Sequence, residues 1–178
     1  WRNADAVVEC FGGSKTARTI EEFVSEATGN FRALPSPPFM HGAGHWIAMR
    51  TWLTGGTIIV QSQPDRLDAD DIWGLIEKER ATFLLIVGDA FARPLLDGLA
   101  TSKRDLSSLL SILSGGAPLS AHLKVEFHQY LPSVILVDGL GSSEAGGQLS
   151  QVASGDSSTT GSFPLAPQNH ILSEDLTS

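Results

Sequence analysis

The chain has 178 residues, 42% apolar and 18% charged, with a formal charge of −8 and one cysteine. An acidic chain without a basic block is unsuited to nucleic acid, and its apolar content is too high for wholesale disorder. Cys10, being the sole cysteine, excludes an internal disulfide or a cysteine metal cluster, so a reducing, cytoplasmic setting is expected.

The length suits one domain or part of a larger one. A body of this mass buries roughly 70% of its extended surface, enough for a real core. The chain opens at Trp1 without a basic-then-apolar leader and stops at Ser178 without a terminating signal. It therefore reads as a portion excised from a longer sequence. The segment from His41 to Val60 is the nearest approach to a membrane span. Arg50 in its middle, with Gly and His interruptions, argues against a spanning helix.

Thr19-Ile20-Glu21-Glu22 has the spacing of a capping box, which predicts a short helix carrying Phe23, Val24 and Ala27. Gly29-Asn30 is placed to end it. Leu34-Pro35-Ser36-Pro37-Pro38 is predicted to be neither helix nor central strand. Gly44 to Leu53 has helical spacing at Ile47, Ala48 and Trp52, and Gly55-Gly56 stops it. Thr57 to Gln61 is a β-branched run and predicts a strand.

Asp68, Asp70 and Asp71 precede Ile72, Leu75 and Ile76, with Lys78 and Arg80 at the end. Acids first and bases last suit a helix dipole. Thr82 to Val87 predicts a strand buried on both faces. Phe91 to Leu99 predicts a helix with Pro94 near its first turn. Leu109 to Leu113 predicts a strand. Ser120 is placed to cap a helix carrying Leu123, Phe127 and either Tyr130 or Leu131, and Val134 to Val137 predicts the next strand. Alternating strands and helices imply an α/β fold of βαβ units with a largely parallel sheet. From Gly139 to Ser162 the chain is rich in Gly, Ser and Thr, which argues loop and turn. One more short strand is expected around His170 to Leu172.

In open α/β sheets ligands bind beyond the carboxyl ends of the strands. Three segments follow predicted strands: Gly88-Asp89, Ser114-Gly115-Gly116-Ala117-Pro118, and Gly139 to Gly147. Parallel strands would open all three on one edge. Gly115-Gly116 lets backbone approach a flat ligand, although the same pair also suits a plain tight turn. Gly139-Leu140-Gly141-Ser142-Ser143-Glu144 offers N–H groups, two hydroxyls and a carboxylate. Such a set suits a magnesium-bound polyphosphate, and a polar surface loop would look the same. The segment is not a dinucleotide fingerprint, because Glu144 stands where the third Gly belongs, and the chain has no Gly-Lys-Ser/Thr of a Walker loop. The absence of a Gly-x-Ser-x-Gly elbow argues against a serine hydrolase. His41 and His45 share the i, i+4 spacing of zinc ligands without the Glu of His-Glu-x-x-His. His122 and His128 are expected on a solvated helix face, and the four Trp are expected to be packing residues.

Together these segments resemble the adenylate-forming enzymes: acyl-CoA synthetases, 4-coumarate-CoA ligase, luciferase and peptide-synthetase adenylation domains. The likeness is strongest to the actinobacterial fatty-acyl-CoA synthetase branch. Leu34-Pro35-Ser36-Pro37-Pro38-Phe39-Met40-His41-Gly42 looks like the family's Pro-rich segment ending in His. Ser114-Gly115-Gly116-Ala117-Pro118-Leu119 looks like the adenine-loop motif. Asp138-Gly139-Leu140-Gly141-Ser142-Ser143-Glu144 looks like the Tyr-Gly-x-Thr-Glu motif. The three occur in the family's order.

The resemblance implies a partial AMP-binding domain over residues 1–178, an incomplete portion of an acyl-CoA synthetase-like N-terminal domain. It implies ATP, Mg²⁺ and CoA, with a carboxylic acid as the further substrate. Gly115, Gly116, Ala117 and Pro118 would lie along the adenylate, with Gly116 also at the acyl chain. Asp138, Gly139, Leu140, Gly141, Ser142 and Ser143 would border the nucleotide. Leu140 stands where the family usually has an aromatic ring. Ser143 replaces the usual Thr and keeps its hydroxyl for the α-phosphate, Glu144 would hold Mg²⁺, and His41 would stand at the acyl pocket. The family's phosphate loop is expected before Trp1, and its ribose-binding Asp and C-terminal domain after Ser178. The chain alone is then expected to be inactive and poorly soluble. A non-catalytic nucleotide- or acyl-binding fragment and a generic α/β nucleotide-binding module remain as alternatives.

Overall fold

A computed structural model describes residues 17, 19–143, 146–153 and 160–165. Its elements in chain order are α1 (Ile20–Ser25), β1 (Arg32–Pro35), α2 (Gly42–Leu53), β2 (Thr57–Ile58), α3 (Ala69–Glu79) and β3 (Phe83–Ile86). They continue with α4 (Gly88–Thr101), β4 (Ser111–Gly115), α5 (Ala121–Tyr130), β5 (Ile135–Ser142) and β6 (Gly146–Ala153). The six strands form one sheet in the order β2-β1-β3-β4-β5-β6. All neighbours pair in parallel except β5 and β6, which pair antiparallel. The α/β class with a largely parallel sheet is as expected.

Local chemistry explains most element boundaries. Thr19 Oγ1 accepts from the Glu22 N–H at 3.2 Å, the first half of the expected capping box. The Asp68 carboxylate accepts from the N–H groups of Asp70 and Asp71 and starts α3. α3 ends at Arg80, whose φ of 51° is left-handed. In α5 the open choice resolves toward Leu131, which is buried, while Tyr130 is exposed.

Alternation along the strands builds two cores. Leu34, Leu84, Ile86, Ile112 and Leu136 face α3, α4 and α5 and join Trp73, Ile76, Leu95 and Phe127. Trp73 is buried and its Nε1 donates to the Leu95 carbonyl at 2.9 Å. Burying one such side chain stabilises the fold by about 1.5–3 kcal/mol. Ala33, Phe83 and Leu85 face the other way and pack against Ile47 of α2.

Several expectations are corrected. β1 lies between β2 and β3, so the Pro-rich stretch does begin as a central strand. Pro35 is its last residue, and the next N–H, of Ser36, donates to Leu85 on the β3 side. Successive residues of a parallel strand point their N–H groups to opposite neighbours. The missing proline N–H therefore faces β2, whose two-residue ladder has already ended.

The segment after Gly139 is not simply loop. β5 runs on to Ser142 and pairs with β6 in a hairpin, with an irregularity at Leu140/Gly141. α4 starts at Gly88, three residues before the expected Phe91, so Pro94 lies within the helix beyond its first turn. On α2 the buried positions are Gly44, Ile47, Ala48 and Thr51, which turns Trp52 outward. Trp52 is accordingly not a packing residue. The strand expected around His170 to Leu172, and Cys10, lie outside the described residues.

Candidate functional site

Parallel pairing puts the ends of β1, β3, β4 and β5 on one sheet edge, and the three segments that carry the resemblance lie at the ends of β1, β4 and β5. β4 and β5 are adjacent and in register, Ser114 beside Asp138 and Gly115 beside Gly139. The adenine-loop motif and the Tyr-Gly-x-Thr-Glu-like motif are thus neighbours. Gly115 and Gly139 lie on the sheet face away from α3–α5, following the alternation that points Ile112, Ser114, Leu136 and Asp138 the other way. A Cβ on Gly139 would stand 3.1 Å from Leu113 Cδ1, and one on Gly115 would stand 3.4 Å from the Gly139 carbonyl. Glycine at both keeps this patch of backbone bare for a flat ligand.

Gly116 has φ +84°, and a Cβ there would meet only Val87 Cγ1, at 3.8 Å. It is an exposed left-handed residue facing open space, with Ala117 and Pro118 exposed after it. Leu140 is exposed, as is Gly141. A Cβ on Gly141 would lie 2.4 Å from the Gly146 carbonyl, so the hairpin closes only around glycine. Ser142 ends β5, and Ser143 is exposed at the turn. Glu144, the expected metal ligand, lies outside the described residues.

The Pro-rich segment meets this hairpin. His41 is the exposed N-cap of α2, its N–H donates to the Pro38 carbonyl at 3.0 Å, and its side chain makes no capping bond. One residue on, a Cβ on Gly42 would stand 3.1 Å from Ser143 Oγ. Gly44 allows the turn back, because a Cβ there would come 2.8 Å from the carbonyls of Pro37 and Pro38. The base of the segment is fastened by Ser36, whose hydroxyl donates to the Leu85 carbonyl and whose own carbonyl accepts from Gln61 Nε2 at 2.7 Å.

Asp138 is the expected site residue that points elsewhere. Its carboxylate is buried under α5 and accepts from Lys124 Nζ, itself buried. Only its backbone faces the strand edge that a nucleotide would approach. Lys124 carried a signal in the sequence, because it stands three residues before Phe127 and seven before Leu131, on the stripe that α5 buries.

Gly88-Asp89 forms no loop. It is the first turn of α4, and it is joined to the segment that follows β4. The Gly88 N–H donates to Ser114 Oγ at 3.0 Å, and the Asp89 N–H donates to the Pro118 carbonyl at 3.2 Å. The Ser120 N–H donates to Asp89 Oδ1 at 2.7 Å, and the Ser120 hydroxyl donates to Asp89 Oδ2. Ser120 is the N-cap of α5 as expected, but its hydroxyl serves Asp89 and not its own helix. The Ser120 hydroxyl, more than any other influence, holds the Asp89 carboxyl below the usual carboxylate range. The Ser120 N–H and the charges of His122 and Lys124 act in the same direction, against partial burial.

No group of three acidic, His or Cys side chains able to hold a metal occurs among the described residues. His122 and His128 are exposed, as expected. A hard cation that is bound largely by substrate phosphates needs only one or two protein carboxylates. The Ser143 hydroxyl beside Glu144 in sequence fits that donor chemistry. No helix among the described residues is long and apolar enough to cross a membrane.

The profile of the family described as AMP-binding enzyme matches residues 8–175. The medium-chain acyl-CoA ligase Mig of Mycobacterium avium is 34% identical over 183 residues, covering 99% of this chain and 33% of the relative. This chain therefore spans about a third of the length of that ligase. Among solved structures, the amide bond synthetase McbA from Marinactinospora thermotolerans superposes with a TM-score of 0.65 and 25% identity, covering 82% of this chain and 27% of that one. The inhibitor-bound N-terminal domain of FACL13 from Mycobacterium tuberculosis does so with a TM-score of 0.64 and 20% identity, covering 82% of this chain and 34% of that one. The last likeness is one of fold alone.

Proposed function

The chain belongs to the AMP-binding enzyme family, and from that premise we propose that it is part of an acyl-CoA synthetase and carries one side of its adenylate site. The proposed reaction has two steps. A carboxylate oxygen of a fatty or other carboxylic acid attacks the α-phosphorus of ATP, and pyrophosphate leaves. The thiol of CoA then attacks the acyl carbonyl, and AMP leaves. The observation that carries this reading is the register pairing of Gly115 with Gly139, which sets the two motifs side by side at the ends of parallel strands. The named ligase activity of Mig, a relative over nearly the whole chain, supports the same reaction class.

In this reading Gly115, Gly116, Ala117 and Pro118 form one wall for the adenine and, at Gly116, for the start of the acyl chain. The backbone of Asp138, Gly139, Leu140 and Gly141 forms the other. Leu140 gives apolar contact where an aromatic ring would stack. The Ser142 and Ser143 hydroxyls would donate to phosphate oxygens, and His41 at the start of α2 would border the reacting carboxylate. Mg²⁺, held by Glu144 and the phosphates, would offset the negative charge gathered in the first step. These 178 residues are proposed to bind the adenylate without forming it, in a cytoplasmic setting.

The test is calorimetric titration of the chain with a non-hydrolysable fatty acyl-AMP mimic and with an ATP analogue. Saturable binding of the mimic, lost in Gly116→Trp and kept in Gly116→Asn, is the expected result. Asn tolerates the left-handed backbone, so it separates blockage from strain. A folded chain that binds neither compound refutes the site. Equal affinity for the two compounds favours a nucleotide module without an acyl subsite. Pyrophosphate release from ATP and acid by the chain alone would show that it is active unaided.

A further inference from the structure

We propose that Asp89 is a positioning residue, whose carboxylate clamps the Gly115–Ser120 loop in the conformation that receives the adenylate. The proposal rests on the adenylate-site reading above. Four hydrogen bonds join the first turn of α4 to the end of β4 and to this loop. Ser114 is engaged through its hydroxyl, Pro118 through its carbonyl, and Ser120 through both its N–H and its hydroxyl. Both oxygens of Asp89 are committed to Ser120. Between these anchors lie Gly116 and Ala117, which are exposed.

Without the anchors, a loop with glycine at 115 and 116 has wide conformational freedom. The contact leaves no slack either. Gly88 sits at φ +53°, and a Cβ there would come 2.5 Å from the Pro118 carbonyl and 2.8 Å from Ala117 Cβ. Only glycine at 88 thus lets the loop lie this close to the turn that residue 89 ties to it. A carboxylate suits the place because the N–H groups at the starts of α4 and α5 both favour negative charge. Both bonds of the Asp89 carboxylate go to Ser120, which is assigned no ligand contact, so the effect of the carboxylate on binding passes through the loop.

The experiment compares the wild-type chain with Asp89→Ala, Asp89→Asn and Ser120→Ala. Each is titrated with the acyl-AMP mimic and followed by amide hydrogen exchange. Losing the carboxylate leaves the Ser120 N–H unpaired, and Asp89→Ala is expected to weaken the mimic about tenfold. Asn still accepts from that N–H, so Asp89→Asn should stay within about threefold of wild type. Protection should fall at residues 115–120 in Asp89→Ala and hold in α3 and β3. Ser120→Ala removes one of the two anchors and should fall between, which keeps the clamp testable if Asp89→Ala does not fold. Equal affinity of wild type and Asp89→Ala overturns the proposal. So does a loss of protection spread evenly through α3 and β3, since that marks a general structural role. A wild-type chain that does not bind the mimic overturns the functional reading, while exchange still decides the clamp. Unchanged protection at Ser120 in Asp89→Ala then rejects it.

Discussion

Replacing Lys124 by Met tests the buried pair beneath β5. Lys124 is 3% exposed and Asp138 is 7% exposed, and the ammonium donates to the carboxylate. Met keeps most of the aliphatic stem, so packing of α5 against the sheet changes little. The charge is lost, and the Asp138 carboxylate stays buried without its cation. Breaking such a pair from one side costs about 3–5 kcal/mol, against a total stability of about 5–15 kcal/mol for a domain. Removing both charges together is far cheaper. Lys124→Met/Asp138→Leu should lie within about 1 kcal/mol of wild type, because an apolar pair avoids the desolvation of two ions. Urea unfolding of the wild type, both single variants and the double variant completes the cycle, with the slope checked for constancy. A Lys124→Met loss below about 1 kcal/mol would show that the charges are better solvated than their burial implies. A double variant as unstable as the two singles summed would refute direct coupling.

Gly56→Ala should lose about 3 kcal/mol or more, because its Cβ would come 2.2 Å from the Phe31 carbonyl. Gly147→Ala, where a Cβ meets nothing within 4 Å, should stay within about 0.5 kcal/mol of wild type. Thermal unfolding of the two variants side by side checks the contrast, and equal losses would contradict the packing described. Above about pH 4, Asp105 carries part of the stability. Hydrogen bonds from Ser107 and Arg80 hold its carboxyl down to about 2, from an ordinary 3.8. A depressed carboxyl stabilises the fold above its unfolded pKa, and that contribution fades as pH falls from about 4 to about 2. Asp105→Asn should therefore flatten the fall of the unfolding midpoint across that window, and an unaltered slope would exclude Asp105 as a source of acid sensitivity.

What was legible in the sequence was whatever a short window contains. The wholly apolar run ending at Val87 announced a strand buried on both faces, and Phe83–Ile86 are all buried. The acids at Asp68 to Asp71 marked the start of α3 through their own side chains. The motifs around Gly115 and Gly139 could be recognised because the chemistry they offer is local to the chain.

Elsewhere the sequence misled. Pro35 argued against a central strand, and only the brevity of β2 makes the missing N–H harmless. The Gly- and Ser-rich run from Gly139 argued for loop, because those residues have little strand preference of their own. It pairs because β4 on one side and β6 on the other satisfy its backbone. Ser120 was read correctly as a cap position and wrongly as its own helix's cap, since Asp89 approaches from 31 residues away. The resemblance put Asp138 beside the nucleotide without saying by which atoms, and the alternation of β5 together with Lys124 on α5 sends its carboxylate to the helix side. Periodicity, caps and glycine turns are fixed by neighbours a few bonds distant, so the sequence alone determines them. Which carboxylate meets which hydroxyl or ammonium depends on register and on the packing of helices distant in the chain, and only the assembled sheet decides that.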